Sequence, residues 1–519
     1  MLATGLLVVI AVIIAFEVVR RRWAQFRYFE KRGIPGPRPH FLWGHYTQLR
    51  DNHAFWLEKW TNEFGDTFGV FWGDRPLLVS TNLDLQQTVL IKEFSNFVNR
   101  APLFALEQAH PIIRTMLIHV TDARWKSLRS AITPSFSTAR MKAMVPLIVE
   151  GIEQFEENLR KQGSNEFDVY PLLKRLMLDN IGRVAFGINV NSQADPSATG
   201  PLLSAALQLI DSALGRTTDL LANSFTFINN SLSSFIALMF RFNLLSHVST
   251  NFAIEVKKIV RARREDGGAK RNDLLQTFID ANVEEGCDRS LMASGEGDDA
   301  CLVTDNGKRR ITLSEDQVIG NSVIMFVAGY ETTSTGLACV LYCLAKHPDI
   351  QERLRHEIVA MLGDEGTRDA DTDRVYTKVM TNKYLDYCTH EALRLFPPVG
   401  IFTSRQVITT TEIEGVKLEA GLSLLFPTYL ANRSPLYWSD PLKYNPDRFA
   451  ERRAHPLAYQ SFGDGPRNCV GMRMAIMSIK LTLSHILPRI RFTTKGDSVW
   501  KCKHVFYQPE KVLLRAELI

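Results

Sequence analysis

Phe462-Gly463-Asp464-Gly465-Pro466-Arg467-Asn468-Cys469-Val470-Gly471 is the stretch whose reading decides the fold. It combines one cysteine with three glycines, a proline and an arginine, and it leads into a helical pattern over Met472–Ile486. Glycine and proline shape a tight loop and let its backbone approach a bulky flat partner. A thiolate at Cys469, close to the start of that helix, is stabilised by backbone N–H groups and by the helix dipole. Taken alone, a free cysteine is more often a small buried hydrophobe. The loop is also a poor nucleotide fingerprint. Gly463-x-Gly465 runs on to Asn468 where a third glycine is required, and no βαβ unit encloses it.

An anionic sulfur so placed can ligate haem iron axially and push electron density to the metal, which favours O–O cleavage. The stretch resembles the haem-ligand loop of cytochrome P450 monooxygenases, whose pattern is Phe-x-x-Gly-x-Arg-x-Cys-x-Gly. All five fixed positions match, at Phe462, Gly465, Arg467, Cys469 and Gly471. That agreement decides against the buried-hydrophobe reading.

Composition bounds the rest. The chain has 519 residues, 45% hydrophobic and 23% charged, which is a globular balance with ample material for a large core. Length alone suggests about three domains. No strong internal linker or repeat divides the chain, and the resemblance implies one large domain. A net charge of +5 is slight for this length, and no nucleic-acid motif is present, so nucleic acid is not expected as a partner. Seven scattered cysteines form no disulfide framework and suit a reducing compartment. Cys339 and Cys343 can share a helix face and read as core packing, because no CxxC or histidine partner supports a metal site.

Leu2 to Phe16 carries no charge, and Arg20, Arg21, Arg22, Arg27, Lys31 and Arg32 follow it. About nineteen residues of helix span roughly 28 Å, close to the hydrocarbon thickness of a bilayer. Glu17 falls near the end, where its carboxylate can reach the interface. A cleaved signal peptide would place its charges before the apolar run. Residues 1–22 are therefore expected to be an uncleaved anchor, with the basic side in the cytoplasm. Residues 23–39 read as a basic, proline-rich hinge, stiffened by Pro35, Pro37 and Pro39. Residues 40–519 are the expected catalytic domain. Asn229-Asn230-Ser231 and Asn432-Arg433-Ser434 are glycosylation sequons that a cytosolic domain leaves unmodified. Phe68 to Ser80 reads as strands around a Gly73-Asp74 turn.

Trp125 and Arg129, four apart, share a helical face. On their own they read as a packed tryptophan beside a surface arginine. The resemblance implies that the pair holds a haem propionate. Ferric iron, porphyrin dianion and thiolate sum to zero, which leaves two propionate anions, and buried anions need paired donors. Arg129 and Arg467 can supply them, and Arg100 and Arg405 occupy matching family positions. Leu220 to Leu245 is apolar and rich in phenylalanine, a core helix by default. The resemblance places it in the roof of the active site, against the membrane. Residues 284–310 are rich in Gly, Asp and Glu and read as a solvated loop.

Ser314 with Gln317 forms a capping box for a long helix that runs to about Lys346 and stops at Pro348. Its middle is Ala328-Gly329-Tyr330-Glu331-Thr332-Thr333. An acid and an alcohol inside an apolar helix are costly unless satisfied or useful. One reading is a local hydroxyl-to-carbonyl bond that bends the helix. The resemblance implies an oxygen-binding groove, in which Thr332 holds dioxygen and Glu331 feeds protons through water. Glu391 and Arg394 follow on a second helix halted by Pro397-Pro398, and Glu and Arg three apart face the same way. His390-Glu391 is not a zinc-protease motif, since position 394 is Arg. The family buries this pair against an arginine of a later segment, here Arg448 in Pro446-Asp447-Arg448-Phe449. Many members carry a histidine near Asn432-Arg433 that this chain lacks, so no role is carried over there.

The resemblance covers essentially the whole chain and is nearest to the animal microsomal clan that includes drug-metabolising and thromboxane-synthase-like members. It implies a mainly α fold with small β-sheets, preceded by one transmembrane helix. It implies haem b, with iron ligated by Cys469, in the endoplasmic reticulum membrane with the catalytic domain facing the cytosol. The reaction is RH + O2 + NADPH + H+ giving ROH, water and NADP+ on a lipophilic substrate. No flavin or nicotinamide motif is present, so NADPH–cytochrome P450 reductase is the implied electron donor, with cytochrome b5 and membrane lipid as further partners. Pocket residues are expected within 101–120, 220–245, 399–402 and 506–507. A peroxide-rearranging thiolate-haem isomerase or dehydratase needs no acid–alcohol pair, so Glu331-Thr332 argues against it. A non-catalytic haem or ligand-binding protein would consume no NADPH.

Overall fold

The computed structural model describes residues 2–519 apart from 104–109, 164, most of 196–216 and 227–247, 266–272, 281, 286–300, 304–308, 364–365, 369–370 and 452–454. The protein is mainly helical with several small sheets, as expected. Its axis is the helix Glu315–Lys346. Ser314 Oγ accepts from Gln317 N, and Gln317 Oε1 accepts from Ser314 N, so the expected capping box closes at both ends. Glu315 and Asp316 in the first turn and Lys346 in the last complement the helix dipole.

Among the described residues this is the one helix long and apolar enough to cross a membrane, but 67% of its most apolar window is buried inside the protein. It is a core helix. Small residues let its neighbours close in. A Cβ on Gly329 would stand 2.9 Å from Ile181 Cδ1, on the helix Tyr170–Phe186. One on Gly336 would stand 3.2 Å from Leu393 and 3.3 Å from Ile479, on the helices Lys383–Leu395 and Met472–Ile486. Cys339 and Cys343 are buried in this core, as read. No cluster of metal-ligating side chains occurs among the described residues.

The largest sheet has four strands in the order Thr67–Trp72, Arg75–Ser80, Ser423–Phe426, Thr403–Gln406. The first two pair around Gly73-Asp74 with Trp72 opposite Arg75, and Gly73 takes φ 68°. Alternate residues face different cores: Phe68, Val70 and Leu77 pack into one cluster, Phe71 and Leu78 into another. The Arg75–Ser80 strand pairs in parallel with Ser423–Phe426, so this sheet ties the front of the chain to its last third.

Residues 284–310 correct the loop reading. Asn282–Glu285, Arg309–Thr312 and Cys301–Val303 form a three-stranded antiparallel sheet. Short β-favouring runs, Cys301-Leu302-Val303 and Arg310-Ile311-Thr312, sit inside a stretch whose average composition is polar. Strand pairing also satisfies their backbone groups locally.

At the front, a helix spans Leu2–Phe26, and Val9, Val12, Ile13 and Phe16 are exposed on it. Glu17 pairs with Arg20 and Arg21, both at 2.7 Å. Arg22 does not belong with the solvated flanking charges. It is 4% exposed and donates to the carbonyls of Phe41, Leu42 and Ser224, with its guanidinium over the rings of Phe26 and Phe225. Charge counted along a sequence cannot separate a docked arginine from a solvated one. The proline-rich stretch lies directly on the first strand. Gly69 N donates to Pro35 O at 2.8 Å, and a Cβ on Gly36 would meet Gly69 O at 2.1 Å. Asn432 is fully buried, so a sequon there carries no topological information, and Asn229 lies outside the described residues.

Candidate active site

The cysteine loop is held by its own backbone. Cys469 N donates to Phe462 O at 2.9 Å, Asn468 N to Gly465 O at 3.0 Å, and Gly463 N to Gln460 O at 2.8 Å. Gly465 takes φ 70°, and a Cβ there would lie 2.1 Å from Leu90 O, so both conformation and space require glycine. Gly471 is the N-cap of the helix Met472–Ile486, whose bounds agree with those read from the sequence. Cys469 therefore sits two residues before the helix.

Its accessible surface opens onto an internal chamber of about 280 Å³ and not onto bulk water. Burial pushes its thiol up. The backbone N–H groups of Gly471 and Met472 and the charges of Arg129 and Arg100 pull the other way.

The same chamber is lined by Thr332, Thr333, Ala328 and Gly329 from the long helix, and by Ile118, Ile181, Met325, Val399 and Phe402. Thr332 Oγ1 donates to Ala328 O at 2.6 Å, the local bond foreseen for a mid-helix threonine. Glu331 does not line the chamber. It is buried on the other side of the helix, against Tyr170 and Lys174.

All five expected propionate-binding residues, Arg100, Trp125, Arg129, Arg405 and Arg467, line this one chamber. They come from separate parts of the chain. Trp125 and Arg129 lie on the helix Asp122–Ile132, Arg405 on the strand Thr403–Gln406, and Arg467 on the cysteine loop. Arg129 grips Asn468 through its carbonyl and its side-chain oxygen, both at 2.9 Å. Arg100 donates to Phe402 O and to Arg467 O, and its guanidinium lies over the Phe402 ring. Arg467 donates to Val120 O at 2.7 Å and stacks on Trp125 at 4.5 Å, and Trp125 meets Phe94 edge-on.

Burial lowers all four guanidinium pKa values. Arg100 falls to about 10 and Arg467 to about 9, while Arg405, crowded by Arg100 and Arg467 as well, falls far. Four buried cations crowded against one another call for an anionic occupant. Arg405 Nε and Arg467 Nε are buried without a partner among the described residues.

Glu391 and Arg394 are both fully buried and meet in a fork, at 2.6 and 2.9 Å. Arg448 closes the expected triad, with Nε 2.8 Å from Glu391 Oε1. Arg394 also donates to the carbonyls of Asn432, Pro441 and Lys443. Asn432 in turn accepts from Gln460 N and donates to Ser461 Oγ, immediately before Phe462. The triad thus reaches the cysteine loop through a residue to which the sequence reading gave no role.

Two expectations for the chamber wall are corrected. Phe506 and Tyr507 do not line it. They form a strand pair with Trp500–Lys503, and Tyr507 packs on Tyr429 at 5.0 Å. No described residue of 220–245 lines it either. Asn468, Tyr170 and Lys174 were missed, because their partners are distant in sequence. A smaller cue existed for Asn468, which falls inside the quoted loop.

A thiol at a helix N-terminus, an alcohol on a facing helix and buried arginines around one chamber together define a haem-thiolate protein. The chain matches the cytochrome P450 family profile over residues 34–515. It is 31% identical over 501 residues to cytochrome P450 3A9 of Rattus norvegicus, covering 94% of this chain and 91% of that protein. It is 30% identical over 495 residues to cytochrome P450 3A5 of Homo sapiens, with the same coverage. The chain belongs to the cytochrome P450 family. It is a haem-thiolate monooxygenase that draws electrons from a redox partner and acts on lipophilic substrates. The residues present fit the cofactor: haem carries two propionates, and the chamber offers buried guanidinium nitrogens that lack partners, opposite an apolar wall.

Proposed function

We propose that Cys469 is the thiolate that ligates the haem iron in this monooxygenase. The observation that carries the reading is that Cys469 and Thr332, 137 positions apart, line one chamber. Haem held by a thiolate supplies oxygen activation and O–O cleavage. Phe462, Gly465 and Gly471 shape the loop that presents the sulfur. Arg100, Arg129, Arg405 and Arg467 bind the propionates, and Trp125 holds the Arg467 guanidinium in place. Thr332 orients oxygen and donates a proton at its hydroxyl, and Glu331 supplies that proton. The apolar wall of Ile118, Ile181, Val399 and Phe402 excludes water and receives a lipophilic substrate.

Residues 1–22 serve as a single-pass anchor in the endoplasmic reticulum membrane, 23–39 as the hinge, and 40–519 as the cytosolic catalytic domain. Support comes from the helix Leu2–Phe26 with its exposed apolar side chains, and from exposed Phe235, Leu238 and Phe242 in the phenylalanine-rich segment, which suit lipid contact. NADPH–cytochrome P450 reductase is the electron donor and cytochrome b5 an additional one. The experiment is Cys469→Ser. It should abolish the red-shifted Soret band of the reduced carbon monoxide complex, because a hydroxyl cannot replace thiolate donation. An intact band would show that another residue ligates iron.

A further inference from the structure

Glu331 precedes Thr332 on the long helix, so its side chain leaves the axis about 100° away from the threonine. Thr332 faces the chamber, and Glu331 faces the helix Tyr170–Phe186. There Glu331 Oε1 accepts from the Tyr170 hydroxyl at 3.3 Å and lies 3.1 Å from Lys174 Nζ. The Tyr170 hydroxyl is also 2.8 Å from Thr335 Oγ1. Burial, then the charge of Glu331, pushes the Tyr170 phenol up, so it stays a donor. Glu331 Oε2 is buried with no partner among the described residues.

The two ends of this cluster differ in their access to water. The Glu331 side chain is 3% exposed, while that of Lys174 is 29% exposed and rides over the Tyr170 ring at 4.6 Å. A carboxylate this deep needs a cation and hydrogen-bond donors to remain ionised. A group that feeds protons inward needs a link to bulk water. Lys174 supplies both, and no chamber-lining residue does.

We propose that Lys174, steadied by Tyr170, is the water-side end of the proton route that Glu331 serves. The inference rests on the role given to Glu331 above. Lys174 is a positioning residue. At rest it keeps Glu331 ionised and turned from the chamber. For delivery, the carboxylate takes a proton from the Lys174 ammonium, and the amine regains one from water. The neutral acid, no longer held by charge, is released toward Thr332. One proton has passed from bulk to chamber and the cluster keeps its charge once Glu331 gives its proton up. The titratable groups around the carboxylate among the described residues are Lys174 and Tyr170 across the helix pair, with Tyr330 and Cys339 along its own helix.

The test uses the full-length haem-loaded enzyme with Lys174→Gln, Lys174→Arg, Tyr170→Phe and Glu331→Gln. The carboxyl stretch of Glu331 is assigned by its loss in Glu331→Gln and followed by infrared difference spectroscopy across pH. Removing a nearby cation raises a carboxyl pKa, so in Lys174→Gln the protonated band should persist to a pH about one unit higher. Product per NADPH should fall and hydrogen peroxide rise in that variant. Lys174→Arg should restore both, and Tyr170→Phe should move both in the same direction by less. An unchanged carboxyl titration in Lys174→Gln overturns the inference, and so does a shifted titration with unchanged coupling. A normal Lys174→Gln beside an uncoupled Glu331→Gln defeats this inference alone. Normal coupling in Glu331→Gln defeats the earlier assignment of Glu331, and this one with it.

Discussion

Arg394→Met should destabilise the protein by an amount that can be worked from its contacts. Both partners of the Arg394–Glu391 fork are 0% exposed, so no water waits to replace a lost bond. Methionine keeps the stem and removes the charge. Glu391 would retain Arg448 Nε at 2.8 Å and Asn445 N at 2.9 Å but lose its bidentate partner. Breaking a buried pair in this way costs about 3–5 kcal/mol. Three carbonyls also lose a donor. That of Lys443 still receives Arg448 Nη2 at 3.2 Å, so only Asn432 and Pro441 are stranded. Each stranded group adds about 1–3 kcal/mol, less where the backbone can relax. A total near 5 kcal/mol is therefore expected, against the roughly 5–15 kcal/mol that folded domains possess.

The loss should also travel. Asn432 anchors Gln460 and Ser461 beside the cysteine loop, so haem retention should fall before global unfolding. Urea unfolding of the full-length protein, followed by tryptophan fluorescence and by the Soret band, reads both. Arg394→Lys should be intermediate, since an ammonium keeps the charge but cannot fork. A variant Arg394→Met that unfolds within about 1 kcal/mol of the parent, haem intact, would refute the reasoning.

In Thr332→Ala the haem spectrum and the substrate-induced spectral shift should survive while product per NADPH falls and peroxide escapes. General acid catalysis is worth roughly 10²–10⁴-fold, and water substituting for the hydroxyl makes the loss smaller. Thr333→Ala, whose residue also lines the chamber, should cost less, and a larger effect there would sink the assignment. Stability should fall as pH drops from about 6.5 toward 4, because burial holds buried His45 down to about 4 and Phe71 N donates to its Nδ1, which must stay unprotonated. The unfolded chain binds the proton first, so up to about 3 kcal/mol is lost across that window, and His45→Asn should flatten part of the slope in unfolding measured against pH. Deleting residues 1–21 should leave a weak, partly salt-resistant association with lipid vesicles, measured by flotation. Deleting Arg22 as well should lower the melting temperature further, because it removes the donor to Phe41, Leu42 and Ser224 carbonyls.

The sequence by itself determined the parts whose physics is local. The glycines and Cys469 of the loop, the capping box at Ser314, the acid–alcohol pair and the turn at Gly73-Asp74 each depend on neighbours a few residues away, and each is found where it was read. The family resemblance extended that legibility to Arg100, Arg129, Arg405 and Arg467, which no local rule could gather.

Tertiary structure alone decided where side chains end up when their partners are far along the chain. It buried Arg22 among carbonyls up to 202 residues distant, although its neighbours Arg20 and Arg21 stay exposed. It turned Glu331 away from the chamber toward Lys174, and it moved Phe506 and Tyr507 out of the chamber wall. It joined the Glu391 triad to the cysteine loop through Asn432. The reason is the same in each case. A residue's type fixes which bonds it can make, but burial fixes which it must make, and burial is set by the packing of elements that the sequence keeps apart.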